Sequence, residues 1–276
     1  MNTARADLKA SVHDFWNQAS CGEVYAGESA DPRAQYVAQA RSRYALEPYI
    51  VEFADFPSVR GLDVLEIGVG MGADHQRFAE AGPRSLTGID LTERAIEHTR
   101  SRFGTFGLTS DLQVADAERL PFGDGSFDLV YSWGVIHHSP DTQRAVDEIR
   151  RVLRPGGRAR VMIYHRWSIV GLLLWLRYAA LKGRPFRGLD WVYHHYLESP
   201  GTKAYSVAEA RTMFSAFRSV EARAIMSFGD LLEGEVGQRH GGLMLRAAKK
   251  MWPRKTLGRL LAGRNFGLYL LIIAQK

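Results

Sequence analysis

The spacing of apolar positions switches between two periods along this chain, and each switch marks an element. Residues 1–60 carry apolar side chains at helical spacing, Tyr36, Ala40 and Tyr44, then Tyr49, Ile50 and Phe53. Asp31-Pro32 suits a helix start, because proline fits the first turn, and Pro48 predicts a break or kink. Pro57 and Gly61 close the segment. Short apolar runs of strand length follow at Asp63–Ile67, Ser85–Ile89, Leu112–Ala115, Phe127–Ser132 and Arg158–Tyr164. Helices are predicted between them over Ala73–Ala81, from a Thr92 cap to about Phe103, and from an Asp141 cap to about Leu153. Strands alternating with helices predict a doubly wound α/β sheet, with right-handed crossovers placing helices on both faces.

After Tyr164 the pattern changes. Residues 165–205 read as an insertion with an apolar helix near Ile169–Leu181 and an aromatic stretch, Trp191–Tyr196. Ser206 predicts a helix cap, Phe217–Ile225 a sixth strand and Leu268–Ala274 a last one, with a second insertion over residues 228–264.

Composition narrows the class. The chain has 276 residues, 46% hydrophobic and 24% charged, which is ordinary for a globular protein with a sizeable core. Its single cysteine, Cys21, excludes a disulfide framework and a cysteine-rich zinc site, and fits a reducing cytoplasmic compartment. The N-terminal stretch lacks the apolar segment of a signal peptide, and no apolar run reaches the roughly 18–20 residues that cross a bilayer. The net charge of +6 is unevenly placed. Arg150–Arg187 holds ten Lys/Arg and no acid, and Gln238–Lys276 holds nine and no acid, so two basic blocks sit on an otherwise acidic chain. That asymmetry bears on partners and substrates rather than on fold.

Candidate chemistry begins at Glu66-Ile67-Gly68-Val69-Gly70-Met71-Gly72-Ala73, between a strand and a helix. Glycines there let backbone approach a ligand at the carboxyl end of a strand, where open α/β sheets bind ligands. Asp90 ends the second strand and can accept hydrogen bonds from vicinal ribose hydroxyls. Gly68, Gly70, Ala73 and Asp90 by themselves also fit a nicotinamide dinucleotide site. Asp116-Ala117-Glu118 adds a carboxylate after the third strand, placed to meet an adenine amine. The runs Phe127–His138 and Arg151–Gly157 complete an ordered series.

Taken together, these residues resemble the class I S-adenosylmethionine-dependent methyltransferases, within the type 11 subgroup that contains the ubiquinone/menaquinone-biosynthesis C-methyltransferases. The resemblance covers about residues 60–165. It implies a Rossmann-like, seven-stranded sheet whose last strand is antiparallel, with S-adenosyl-L-methionine at the carboxyl edge. It further implies that Glu66, Gly68, Gly70 and Gly72 line the methionine part, that Asp90 holds the ribose with Leu91 against the adenine, that Asp116 and the Ala117 backbone hold the adenine amine, and that Ser132 lies beside the donor methionine.

Methyl transfer from a sulfonium asks for alignment and exclusion of water, and for a general base only when the acceptor carries a proton. His138 and His137 follow the fourth strand at the mouth of the expected pocket, and His165 closes the fifth as a rival base, with Arg166 beside it for an anionic group. Phe15, Trp16 and Tyr25 suit a cover over the cofactor, His194 and His195 a lid, and Cys21 a small packed side chain. No metal-ligand set is evident by spacing. Ser132-Trp133-Gly134 is not the Asn/Asp-Pro-Pro-Tyr of amino-methylating DNA enzymes, no Pro-Cys pair serves cytosine attack, and no Asp-Asn pair serves a catechol-type magnesium site.

The expected organisation is an N-terminal helical lid, 1–60, and a methyltransferase domain, 61–276, whose insertions 165–205 and 228–264 build the acceptor site. The expected reaction moves a methyl group to O, C or N of a small lipophilic or anionic molecule. The basic, apolar insertions fit either a substrate cap or peripheral contact with an anionic membrane. Nucleic acid ranks last as a partner, since no recognised binding module is present. Two other classes remain open at this stage: a dinucleotide-dependent oxidoreductase, and a membrane-associated binding module without catalysis.

Overall fold

The computed structural model describes residues 3–25, 29–233, 252–261 and 263–276. Seven strands form one sheet: β1 (Asp63–Ile67), β2 (Ser85–Asp90), β3 (Asp111–Val114), β4 (Phe127–Trp133), β5 (Leu153–Tyr164), β6 (Ser219–Ile225) and β7 (Tyr269–Gln275). Their order is β3-β2-β1-β4-β5-β7-β6, with β1 to β5 parallel and β7 antiparallel to both neighbours. The sequence predictions for all seven hold to within a few residues except at β5. That strand starts at Leu153 rather than Arg158, because Leu153 already pairs with Phe127 and the Pro155-Gly156-Gly157 run is absorbed as an irregularity in the ladder.

Helices α1 (Thr3–Gln18), α2 (Pro32–Leu46) and α3 (Tyr49–Ala54) precede the sheet, with Pro48 at the expected break. The crossover helices are α4 (Ala73–Glu80), α5 (Glu93–Phe106) and α6 (Thr142–Val152). Their starts are written locally: the Thr92 side chain accepts from the Ala95 amide and the Asp141 side chain from the Arg144 amide. The first insertion folds as α7 (Ile169–Tyr178) and α8 (Leu189–Tyr196), and a Ser206–Glu209 capping box opens α9 (Val207–Met213). Of the second insertion, residues 234–251 and 262 lie outside the described residues, and a helix over Arg254–Leu261 is described.

Both faces of the sheet are covered. Ile149 of α6 and Phe214, just after α9, pack with Val130 and Val161 on one side. Phe53, Phe78, Leu174 and Val192 pack with Tyr131 and Met162 on the other. Burial of such side chains is worth about 1.5–3 kcal/mol each and holds the strand ends rigid. The parallel strands therefore present their carboxyl ends along one edge, and α1 lies across that edge. Among the described residues no helix is long and apolar enough to cross a membrane.

Candidate functional site

A cleft opens at the carboxyl edge of the sheet. The loop from β1 to α4 forms its floor, turned by Gly68, Gly70 and Gly72 at φ +83°, +50° and +72°, where a Cβ is strained. These glycines do different work. A Cβ on Gly68 would stand 2.1 Å from Val135 Cγ2, and one on Gly72 would stand 2.9 Å from Thr99 Oγ1. At Gly70 a Cβ would meet nothing within 4 Å, so the loop leaves a backbone-lined hollow there.

Carboxylates border the hollow. Asp90, at the end of β2, accepts from the Thr92 amide at 3.0 Å, the Thr92 hydroxyl at 2.9 Å and the Gly70 amide at 3.2 Å. Burial lifts its pKa against the pull of those donors, and its remaining lone pairs are free to accept from a ligand. Asp116 follows β3 and takes the Glu118 amide on one oxygen at 2.9 Å. Its other oxygen meets Lys9 Nζ of α1 at 2.5 Å, and the same ammonium reaches Glu118 at 2.7 Å. A hollow of bare backbone between two acceptor carboxylates suits an adenosyl group, whose ribose hydroxyls and exocyclic amine are donors.

The opposite wall is aromatic. Trp133, Tyr164 and Tyr269 line it, with Trp133 5.7 Å from Tyr269 and Tyr164 stacked 6.2 Å from Tyr269. Trp16 of α1 meets the His138 ring edge-on at 5.3 Å and closes this side. His138 also lines the cleft, with Nε2 3.4 Å from Glu198 Oε2, and the Tyr164 hydroxyl donates to the same carboxylate oxygen at 2.8 Å.

Among the residues singled out from sequence, Glu66, Gly68, Gly70, Gly72, Asp90, Leu91, Asp116, Ala117 and His138 converge on this cleft. Ser132, His137 and His165 are not among its lining residues. Ser132 is wholly buried, and its hydroxyl has no partner among the described residues; the next two residues, Trp133 and Gly134, face the cleft instead. His137 is buried between the rings of His138 and Tyr164. His165 is buried with Nδ1 3.1 Å from each of the Trp167 and Gly267 carbonyls, so it orients a loop. Arg166 is committed to Asp190 and Glu209 at 2.9 and 2.8 Å rather than to a ligand. Cys21 is exposed at the cleft rather than packed. Trp16 and Tyr25 line the cleft as a cover would, whereas His194 and His195 lie on the exposed side of α8.

Glu47, Glu198 and Tyr269 also line the cleft, and sequence reading missed them. Glu47 receives the Trp133 indole N–H at 3.4 Å and lies beside Arg43. A carboxylate next to Pro48, or next to Ser199-Pro200-Gly201, looks like loop chemistry until the fold brings it to the strand ends.

Comparison with known proteins agrees with this geometry. Residues 65–161 match a family model described as a methyltransferase domain. The chain is 28% identical over 223 residues to the O-methyltransferase cnsE of Penicillium expansum, covering 79% of this chain and 77% of that one. It is 36% identical over 104 residues to the 27-O-demethylrifamycin SV methyltransferase of Amycolatopsis mediterranei, and the match spans 38% of that enzyme's length. Among solved structures, the geranyl diphosphate C-methyltransferase of Streptomyces coelicolor superposes with a TM-score of 0.60 over 97% of both chains at 15% identity, which speaks to the fold. The antiparallel β7, inserted between β5 and β6, also separates this sheet from the 3-2-1-4-5-6 order of dinucleotide-binding oxidoreductases.

Proposed function

We propose, for a chain that belongs to the class I S-adenosylmethionine-dependent methyltransferases, that it methylates a hydroxyl oxygen of a small, largely apolar molecule. The observation that carries this reading is the two-sided cleft: a glycine hollow between Asp90 and Asp116 on one side, and His138 beside an aromatic wall on the other. Asp90 and Asp116 are the groups to hold ribose and adenine, and Glu66, Gly68, Gly70, Gly72, Leu91 and Ala117 complete that half. When bound, S-adenosylmethionine supplies a sulfonium-activated methyl group. Trp133, Tyr164 and Tyr269 bury an apolar acceptor and exclude water. His138 takes the hydroxyl proton as the new O–C bond forms. Oxygen is favoured over carbon or nitrogen because several relatives bear O-methyltransferase names.

Residues 1–60 act in this proposal as a lid, with α1 tied across the cleft by Lys9 and Trp16. The first insertion serves as a docking surface for an anionic membrane that carries the acceptor. Support comes from exposed Trp167, Leu172, Leu176, Leu181 and Phe186 beside Arg177, Lys182, Arg184 and Arg187, with no acid nearer in sequence than Asp190. Co-sedimentation with phosphatidylglycerol vesicles, lost in Phe186→Ser, tests that surface; equal binding to neutral phosphatidylcholine would remove the electrostatic part.

Calorimetry with S-adenosylhomocysteine, followed by incubation of labelled cofactor with cell extract, tests the main reading. Saturable binding, lost in Asp90→Ala, and a labelled apolar ether support it. Absence of cofactor binding by the wild-type chain ends it.

A further inference from the structure

We propose that His137, His138 and Glu198 hold a divalent transition-metal ion on the acceptor side of the cleft. One donor atom from each lies within 4.8 Å of the others, in a set of two imidazoles and one carboxylate contributed by the turn after β4 and the loop after α8.

Two hydroxyls meet the Nδ1 side of His138. The Thr202 hydroxyl donates its one proton to the Ser199 carbonyl at 2.7 Å. Toward His138 Nδ1, 3.1 Å away, it can therefore only accept. The Ser199 hydroxyl lies 2.8 Å from the same Nδ1 and can donate to it, so these contacts fit either tautomer; Nε2 stands 3.4 Å from Glu198 Oε2 and has no hydrogen-bond partner among the described residues. An ion placed between Nε2 and the carboxylate would pair both groups. With the ion on Nε2, Nδ1–H would donate to the Thr202 hydroxyl, the arrangement that orients metal-binding imidazoles.

His137 supplies the independent observation. Its ring is completely buried, and neither nitrogen has a hydrogen-bond partner among the described residues. Leaving buried polar groups unpaired is costly, so the two nitrogens call for a partner.

Two donors on one ion stand at most about 4.2 Å apart, twice a bond of about 2.1 Å. The cluster must close by less than about 1 Å, which the half-buried Glu198 side chain can do. Zinc, cobalt, manganese or ferrous iron suit this donor set, and three protein ligands leave positions open toward the cleft. With the ion bound, His138 is a ligand rather than the base, and an acceptor oxygen reaching an open position would be polarised and would release its more acidic proton to solvent. That role rests on the proposed methyl transfer; metal binding itself does not.

The test uses the full-length, tag-free protein stripped with EDTA. Titration with Co²⁺ is expected to raise visible d–d absorption that saturates at one equivalent, and Zn²⁺ to displace it. Glu198→Gln and His137→Gln should each weaken binding at least tenfold while S-adenosylhomocysteine still binds. Should His137→Gln fail to fold, Glu198→Gln, at a half-buried position, carries the comparison. The inference is overturned by a wild-type protein that shows neither absorption nor heat up to millimolar metal, leaving a shared proton between His138 and Glu198. It is equally overturned by metal affinity that survives Glu198→Gln. Metal binding without homocysteine-cofactor binding would uphold this site and sink the methyltransferase reading alone.

Discussion

His75 Nδ1 and Glu66 Oε2 meet at 2.9 Å beneath the glycine loop, and the proton between them belongs to the carboxyl group. The Ser110 hydroxyl donates to the Leu86 carbonyl at 2.8 Å, so toward His75 Nε2, 2.7 Å away, it accepts. His75 therefore carries its hydrogen on Nε2 and offers Nδ1 as an acceptor. Burial accounts for both halves, holding the His75 pKa down at about 3 and the Glu66 pKa well above the carboxylate range. A neutral acid hydrogen-bonded to a neutral imidazole supports the cofactor loop without a buried charge.

Glu66→Gln tests that assignment, because an amide N–H can replace the acid O–H. At pH 4 the variant should unfold within about 1 kcal/mol of wild type. Above pH 4.5 the unfolded wild-type chain releases the Glu66 proton while the folded one keeps it, so the Glu66 contribution to wild-type stability falls as pH rises. The variant lacks this term and should gain on wild type by about 1.4 kcal/mol per pH unit above 4.5. Urea midpoints across pH 4–8 provide the measurement. A variant weaker by about 3–5 kcal/mol at pH 7 would instead indicate an ion pair.

His75 gives the opposite sign. Its folded pKa is depressed to about 3, so its contribution is complete above pH 6.5 and is lost as pH falls from 6.5 toward 3. The two groups oppose each other between pH 4.5 and 6.5. The pair's contribution should therefore rise from pH 3 to 4.5, stay level to 6.5 and decline beyond. Glu66→Gln should turn that plateau into a continued rise up to pH 6.5.

The glycines of the loop should separate stability from binding. Gly68→Ala drives a Cβ into Val135 at positive φ and should cost about 3 kcal/mol of stability. Gly70→Ala enters open space at φ +50° and should cost only about 1 kcal/mol, while lowering affinity for S-adenosylhomocysteine at least tenfold. Melting curves and calorimetry on both variants make the comparison. Similar affinities would mean that the hollow at Gly70 holds nothing.

Arg102 is wholly buried and donates to Gln76, Gln39, the Met71 carbonyl and the Tyr36 carbonyl, each at 2.8 Å. It ties α2 and the glycine loop to α5. Arg102→Met leaves four acceptors unpaired and should cost at least about 3 kcal/mol in denaturant unfolding. A loss below 1 kcal/mol would mean that water replaces the guanidinium.

Helix α1 is fastened mainly by half-exposed ion pairs, Lys9 with Asp116 and Glu118, Arg5 with Asp141, and His13 with Glu93. Such contacts are worth about 0–1 kcal/mol each. Lys9→Met should speed hydrogen exchange in residues 3–18 several-fold while moving global stability by less than about 1 kcal/mol. Salt added to wild type should act in the same direction. Unchanged exchange would show that Val12 and Trp16 hold the helix by packing alone.

Local sequence determined the strands, because buried parallel strands must be apolar and their ends are written in glycine, proline and capping residues. It also determined Asp90 and Asp116, since any residue closing a parallel strand joins the same edge. The phase of side chains within a strand was decided only by tertiary pairing: neighbouring positions face opposite sides, so Ser132 is sealed in the core while Trp133 opens onto the cleft. Gly88 belongs to the same class, its bare Cα giving room to the His75 ring that a Cβ would meet at 2.7 Å. Glu198 stands beside His138 across sixty residues of chain because α7 and α8 fold back over the sheet. No local period encodes that return, which is set by which buried faces find each other.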